Sequence, residues 1–385
     1  ADFHLMIPSA SLESDFGHSD DIRRDALNNF SAIEEVSGDD PHHQLALRQL
    51  RSWTIGEADR IQRTLSDRRR DGFIRECHGD LHLGNIVEID GQPYLFDGID
   101  FNEKFRWIDV ISDVAFLVMD LEEHGASRLA RRLLNRYLER TGDYAGLDVL
   151  RFYLVYRAMV RAKVDAIRLQ EERRSTSHRR VLMREFGEYL KIADHDAEPT
   201  PLALIITQGP SGSGKSFLSQ RLIEDTCAIR VRSDIERKRI FGVGETERVG
   251  SDSDSWLYST DASRRTYDRL ESLATAVINA GFPVIVDAAF LNADQREPFR
   301  KLARRSGIPF RILSCTAPAE ELAARIETRR MQNRDASDAS VAVLQMQLSS
   351  DSGISDEPAD ELINVNTAEE ASISKALTEV TRVVS

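Results

Sequence analysis

The chain has 385 residues, 41% hydrophobic and 30% charged, with a formal net charge of −13; that is enough for two or three full cores in an ordinary globular protein. The acidic balance counts against broad, non-specific nucleic-acid binding, although from position 200 on about 23 basic residues face about 27 acidic ones, which leaves a local basic funnel open. There is no eighteen-residue apolar run, no basic start leading into an apolar stretch, and no disulfide or metal spacing among Cys77, Cys227 and Cys315. The expectation is a cytoplasmic protein with reduced cysteines, no membrane span and no signal peptide.

Residues 1–75 show a broken helical pattern, with no Gly-rich loop and no V-A-I-K-like strand. HGDLHLGN, His78 to Asn85, then has the H-x-D-x-x-x-x-N spacing of a kinase-like catalytic loop, in which the Asp meets a substrate hydroxyl and the Asn holds a metal. NIVEI and PYLFD predict a hairpin over 85–97, turned by Asp90-Gly91. From Phe105 to about Ala193 apolar residues recur at i, i+3, i+4, which predicts helices throughout. ADHDAEPTPL, 193–202, is polar with two prolines and marks a boundary between domains over 1–195 and 200–385. His4, His18, His42 and His43 read as surface histidines, and Trp53, Trp107 and Trp256 as packing residues.

Beyond the boundary the pattern alternates. LALIITQ, AIRVRS, FPVIVDA, FRILSCT and ELINVN are strand-like, and helical stretches separate them. This predicts an α/β domain with a parallel sheet covered on both faces. GPSGSGKS, with Gly209, Ser211, Gly212, Ser213, Gly214, Lys215 and Ser216, is a full G-x-x-x-x-G-K-[ST] match between a strand and a helix. Glycines let backbone N–H groups turn toward phosphate oxygens, and the helix N-terminus adds positive potential. Lys215 reaches the β/γ-phosphates and Ser216 can ligate Mg²⁺.

Asp234, in VRSDIERKRIFG, falls where open α/β sheets place their ligand crevice; it can take a proton from an acceptor hydroxyl, or simply cap a helix. Arg237, three residues on, can hold an anionic group of the acceptor. FPVIVDAAF ends its strand at Asp287, the Walker B form that puts a carboxylate near Mg²⁺, and Arg296 follows on the next helix as a further acceptor contact. AARIETRRMQNR places Arg325 and Arg329 at i, i+4; they can neutralise charge on a transferred phosphoryl, or pair on a solvated face with Glu320, Glu321 and Glu327. The polar stretch 243–263 reads as an acceptor loop or a surface loop.

On GPSGSGKS, RSDIERKR, VIVDA and the Arg-rich helix, residues 202–383 resemble the P-loop kinases grouped with polynucleotide 5′-kinases, zeta toxins and chloramphenicol phosphotransferases. The resemblance implies Asp234 as general base, Arg237 on the acceptor, and Arg325 or Arg329 as the lid arginine. No N-K-x-D guanine signature occurs, so ATP is the implied donor. HGDLHLGN followed by LFDGIDF resembles the C-lobe of the aminoglycoside phosphotransferase and choline-kinase-like group. There the loop Asp is the base and the Asn and a later Asp bind Mg²⁺, which implies Asp80, Asn85 and Asp97, with Asp100 competing for the last role; Asp109 and Asp113 are implied to be structural. The order of modules resembles bacterial fusions described as bifunctional aminoglycoside phosphotransferase/ATP-binding proteins.

The expected protein is therefore multidomain: a mainly helical choline-kinase/aminoglycoside-phosphotransferase-like C-lobe, then a P-loop kinase domain. Its expected chemistry is Mg·ATP-dependent phosphoryl transfer to an acceptor hydroxyl, on a small molecule or a nucleic-acid end. The first module is expected to bind acceptor or act as a second site. Two rivals are a 5′-hydroxyl polynucleotide kinase and an ATP-driven switch without an acceptor; Asp234 and Arg237 favour a kinase, since a switch needs no acceptor base.

Overall fold

A computed structural model describes residues 1–385 except 35–40, 172–175, 246, 248–253, 258, 333–340, 349–352 and 385. Side chains are also not described for 176, 254, 255, 329, 330, 332, 341, 342 and 346. The chain forms two compact units, one of residues Ala1–Leu134 and Gly146–Pro199, the other of Asn135–Ala145 and Thr200–Ser385.

The first unit opens with α1 (Asp2–Met6), α2 (Ser19–Glu34) and α3 (Pro41–Arg70), followed by β1 (Ile74–Glu76). The hairpin strands β2 (Ile86–Ile89) and β3 (Gln92–Leu95) come next, then β4 (Trp107–Asp109) and α4 (Val110–Glu123). Helix α5 (Ser127–Thr141), whose residues from Asn135 on belong to the second unit, precedes α6 (Leu147–Glu171) and α7 (Thr176–Ala197). Helices α2, α3, α4, α6 and α7 pack around one apolar centre that includes Phe30, Phe116, Phe152 and Phe186. The hairpin has the expected register, Ile86 opposite Leu95, and its turn residues Asp90 (φ 52°) and Gly91 (φ 73°) are both left-handed, as a two-residue hairpin turn requires.

Two expectations need correction here. Trp107–Asp109 is not helical: it pairs antiparallel with Ile74–Glu76, and Asp109 accepts the Ile111 N–H to start α4. Asp109 also takes two bonds from Arg68, at 2.7 and 2.9 Å, both side chains fully buried. His4 is not on the surface: its Nε2 lies 3.1 Å from Asp113 in the buried interior.

The second unit is built on β5 (Leu204–Gln208), α8 (Lys215–Asp225), β6 (Ile229–Arg232) and α9 (Ser233–Ile240). Next come α10 (Asp254–Leu257), α11 (Thr260–Asn279), β7 (Val284–Asp287) and α12 (Ala293–Ser306). The chain continues through β8 (Phe310–Thr316), α13 (Ala319–Gln332), α14 (Val341–Leu348), β9 (Leu362–Asn366) and α15 (Glu370–Val384). The five strands form one parallel sheet in the order β6-β7-β5-β8-β9. The inner strands β5 and β7 are buried at every residue because helices cover both faces, α8 and α15 on one and α11 and α12 on the other, whereas the edge strand β9 buries only Ile363 and Val365. The chain leaves central β5 for one side of the sheet and later returns to the other, so the switch point falls at the C-terminal ends of β5 and β7, where a ligand crevice belongs.

Candidate functional site

The loop between β5 and α8 has the backbone that the glycine spacing demands. Gly209 (φ 140°) and Gly212 (φ 81°) occupy conformations that other residues rarely adopt. A Cβ on Gly209 would lie 2.3 Å from the Cys315 carbonyl oxygen, and one on Gly212 2.6 Å from that of Leu322, so the loop is pressed against neighbouring backbone. Gly214 then stands at the N-cap of α8, and Lys215 and Ser216 open the helix. The Lys215 ammonium folds back onto the loop, donating to the carbonyls of Gly209 (2.9 Å) and Pro210 (2.8 Å). Ser213 Oγ is buried with no hydrogen-bond partner among the described residues. The Ser211 N–H donates to Oε1 of Gln347 on α14, at 2.7 Å.

Asp287 ends β7 beside this loop and is 4% exposed. Ser219 Oγ, one turn into α8, lies 3.0 Å from Asp287 Oδ2, and Thr207 Oγ1 lies 3.5 Å from Oδ1. Arg232 is more distant, with Nε 3.9 Å from Oδ2. The buried Asp287 carboxylate, oriented by hydroxyls, and the Ser216 hydroxyl at the start of α8 are hard oxygen donors of the kind Mg²⁺ takes, so these residue types fit that ion.

Asp234 lies inside the first turn of α9, whose N-cap is Arg232 without a side-chain cap bond, so Asp234 does not cap the helix. Its carboxylate is partly exposed, and Arg237 Nη1 approaches Oδ1 at 3.4 Å. Tyr267 of α11 accepts the Phe290 N–H at 3.1 Å. Burial pushes its phenol up to about 12, with the Phe290 N–H and the Arg237 charge opposing. Phe290 itself has φ 45°, a left-handed backbone on a bulky residue three positions past Asp287.

Arg325 is at the loop: it donates to the Gly212 carbonyl (3.3 Å), to Thr367 Oγ1 (2.8 Å) and to the Thr367 carbonyl (3.1 Å), and also pairs with Glu321. The Arg329 side chain lies outside the described residues, as does much of 243–263. Arg296 is a correction. It is fully buried, bonded to Glu357 (2.5 Å) and to the Phe290 carbonyl (2.9 Å), so its charge is spent inside the fold and is not presented to an acceptor. Sequence reasoning also missed Thr367, which lies 2.9 Å from the Ser213 carbonyl and braces the loop from the end of β9. Beside the loop a cavity of about 400 Å³ is lined by Gly214, Phe217, Arg325, Thr367, Ala368 and Ile373 among others.

In the first unit, residues 78–85 form a braced loop. Asp113 accepts the N–H groups of His78 (3.2 Å) and Gly79 (2.9 Å), Asp120 accepts that of Leu83 (2.8 Å), and Arg157 donates to the Gly79 carbonyl (3.1 Å). Asn85 Nδ2 bonds to the carbonyl (2.9 Å) and carboxylate (3.2 Å) of Asp80. His82 accepts from Gly84 N–H through Nδ1, which leaves the Nε2 hydrogen for Asp80, 3.4 Å away. That His82 bond, with the Arg157 and Arg161 charges behind it and burial opposing, holds the Asp80 carboxyl below its ordinary value. Asp97 does not end the second hairpin strand, which stops at Leu95; Asp97 follows at φ 58°, and both it and Asp100 are exposed.

Comparison with known proteins bears on the second unit first. Residues 204–351 match the family model described as an AAA domain. An uncharacterized protein of Mycobacterium tuberculosis H37Rv is 31% identical over 269 residues, 70% of this chain and 53% of that protein, and an uncharacterized protein of Mycobacterium bovis matches to the same extent. The chain thus spans about half the length of these curated relatives. Among solved structures, a sugar kinase from Janibacter sp. HTCC2649 is similar at 19% identity and a TM-score of 0.36, over 48% of this chain and 99% of that one. The APS kinase of Mycobacterium tuberculosis with AMPPNP and APS is similar at 21% and 0.34, over 48% and 98%. The shikimate kinase of Acinetobacter baumannii with shikimate is similar at 19% and 0.33, over 47% and 93%. The second unit is a P-loop α/β domain whose residues 204–351 match the AAA domain model.

Proposed function

We propose that the second unit is an ATP-dependent phosphotransferase acting on an acceptor hydroxyl. The observation that carries this reading is the pairing of a phosphate-binding loop with a partly exposed carboxylate–guanidinium pair, Asp234 and Arg237, on the neighbouring crevice wall. A plain nucleotide switch has no use for that pair.

The triphosphate lies along the N–H groups of residues 211–216, and its arrival exchanges the Lys215 carbonyl bonds and the Ser211–Gln347 bond for bonds to phosphate oxygens. The cavity beside Phe217 receives the base. Ser216 and Asp287 hold Mg²⁺, which when bound draws charge from the phosphate oxygens. The acceptor oxygen forms a bond to the γ-phosphorus while the bond to the ADP oxygen breaks, and the acceptor proton passes to Asp234. Lys215 and Arg325 neutralise charge on the phosphoryl, and Arg329 is the alternative lid arginine. Arg237 orients the acceptor, which is a small molecule or a nucleic-acid end.

The first unit is read as a choline-kinase/aminoglycoside-phosphotransferase-like C-lobe. What supports this is the bracing of residues 78–85 and the bonded Asp80–Asn85 pair. With Asp97 or Asp100 as a further metal ligand it would serve as a second site, or it binds acceptor for the first. A cytoplasmic location is part of this proposal; among the described residues no helix is long and apolar enough to cross a membrane.

The test is transfer of labelled γ-phosphate from ATP to sugars, aminoglycosides, nucleosides and 5′-hydroxyl oligonucleotides, with wild type, Lys215→Ala, Asp234→Ala and Asp80→Ala. Labelling of one acceptor class that survives only in Asp80→Ala supports the reading. Transfer lost in Asp80→Ala and kept in Lys215→Ala overturns it.

A further inference from the structure

The P-loop unit includes eleven residues, Asn135–Ala145, that precede the rest of it in the chain by more than fifty positions. They lie along β6, an edge strand of the sheet. The Asn135 side-chain amide imitates a further strand: its Nδ2 donates to the Ala228 carbonyl (3.2 Å), and its Oδ1 accepts the Arg230 N–H (2.7 Å). Tyr144 Oη donates to the Arg230 carbonyl at 3.2 Å. An edge strand left open is a template for unwanted pairing, and this segment closes it.

The same segment reaches the nucleotide loop by a chain of polar contacts. Glu139 takes two bonds from the Arg230 guanidinium, Nε at 2.8 Å and Nη2 at 2.7 Å, with both side chains at most 5% exposed. Arg230 Nη1 then donates to Ser219 Oγ (3.2 Å) and lies 3.4 Å from the Ser216 carbonyl, while Nη2 bonds to Gln220 (3.0 Å). Ser219 Oγ, which accepts from Arg230, lies 3.0 Å from Asp287 Oδ2 and can donate to it. The Ser216 carbonyl, 3.2 Å from Ser219 Oγ, is a second acceptor for that hydrogen, and the Arg230 guanidinium beside both narrows the choice toward the Asp287 carboxylate.

We infer that Glu139 and Arg230 are positioning residues for the metal-binding Asp287, acting through Ser219, so that the P-loop site is completed by residues 135–145 of its own unit. This rests on the reading that Ser216 and Asp287 hold Mg²⁺ with a bound nucleotide. Partners that orient a metal ligand contribute about 10–100-fold to metal affinity. Nothing in the Walker-type motifs supplies this contact.

The test uses the full chain. Mn²⁺ binding in the presence of ADP is titrated by electron paramagnetic resonance, alongside metal-free ADP affinity and thermal unfolding, for wild type, Glu139→Gln, Arg230→Met and Ser219→Ala. Ser219→Ala breaks the chain without disturbing the Glu139–Arg230 pair, so it stays informative if the other two unfold. The expected result is about tenfold weaker Mn²⁺ binding in Ser219→Ala and Glu139→Gln, with metal-free ADP affinity within about twofold of wild type. Unchanged Mn²⁺ affinity in both, beside a lowered unfolding temperature in Glu139→Gln, reduces the pair to scaffolding and overturns the inference alone. Wild type that binds no ADP with or without metal overturns the reading of the site, and the inference with it.

Discussion

Two glycines with nearly the same backbone conformation should respond differently to a single added methyl. Gly212 (φ 81°) and Gly307 (φ 67°) both lie in the left-handed region, where a Cβ costs about 1–2 kcal/mol. Around Gly307 there is nothing within 4 Å of the added carbon, so that cost is the whole effect of Gly307→Ala. At Gly212 the carbon would also lie 2.6 Å from the Leu322 carbonyl oxygen and 3.2 Å from Leu322 Cα, all rigid backbone of α13. Relieving such an overlap costs a further ~1–3 kcal/mol, for a total of about 2–5 kcal/mol. In a domain of this size 1 kcal/mol is roughly 2–4 °C of unfolding temperature. Thermal unfolding and displacement of a fluorescent ATP analogue read the two consequences. Gly307→Ala should fall by a few degrees and keep its nucleotide affinity, whereas Gly212→Ala should fall about 1.5 to 4 times as far and lose affinity as the loop moves. Equal behaviour of the two variants in both assays would refute the argument that backbone contact shapes this loop.

Arg296→Ala should destabilise the second unit by about 1.5–3 kcal/mol in denaturant unfolding, since it removes one of the two guanidinium groups, Arg296 and Arg300, that hold the buried side chain of Glu357; a large KM effect on an acceptor at unchanged stability would restore Arg296 to the acceptor site. Gln347→Ala should tighten ATP binding roughly 2–10-fold by removing a competitor for the Ser211 N–H, and Gln347→Glu should weaken it; calorimetric titration decides, and no change in either would mean the contact is energetically idle. Asp165 is buried, and desolvation raises its carboxyl to about 6. Its contribution to stability is full below the ordinary value of 3.8 and is lost as pH rises through about 6. Asp165→Asn should therefore raise the unfolding temperature at pH 7–8 and leave it nearly unchanged at pH 4, a pattern that a pH series of melts tests directly. Burial pushes the Cys77 thiol up and the Cys315 thiol up to about 12, so Cys227 should be the first to react with a thiol reagent under native conditions, as peptide mapping would show.

The parts of this structure that could be read from the sequence are those dictated locally. Glycines at 209, 212 and 214 have few alternatives to a tight left-handed turn, and the apolar runs ending at Gln208 and Asp287 have no stable place except the middle of a covered sheet. Asp90-Gly91 declares a hairpin for the same reason. What escaped was set by partners far away in the chain. Arg296 looks like any helical arginine until Glu357 and the Phe290 carbonyl are packed against it. Trp107–Asp109 keeps helical spacing, and only pairing with Ile74–Glu76 makes it a strand. His4 reads as a surface residue because Asp113 is 109 positions away. Nothing within Asn135–Ala145 announces that it belongs with residues after 200, because its amphipathic helix pattern would suit either unit. In the candidate site, the signal for Ser219 was present as a helix turn beyond Ser216, but its meaning depends on where Asp287 and Arg230 arrive.

Thr367 gives the nucleotide loop a place in time as well as in space. The residue it braces, Ser213, is synthesised 154 positions earlier. At about 5–20 residues per second, roughly eight to thirty seconds separate the two on the ribosome. During that interval the motif is fully written but its loop has neither the Thr367 hydroxyl beneath it nor the β9 edge beside β8. Any phosphate ligand of this loop then meets a nascent chain whose site is still incomplete. A ligand that binds only the folded loop would add stability once the domain is finished, and would not act as a template for folding.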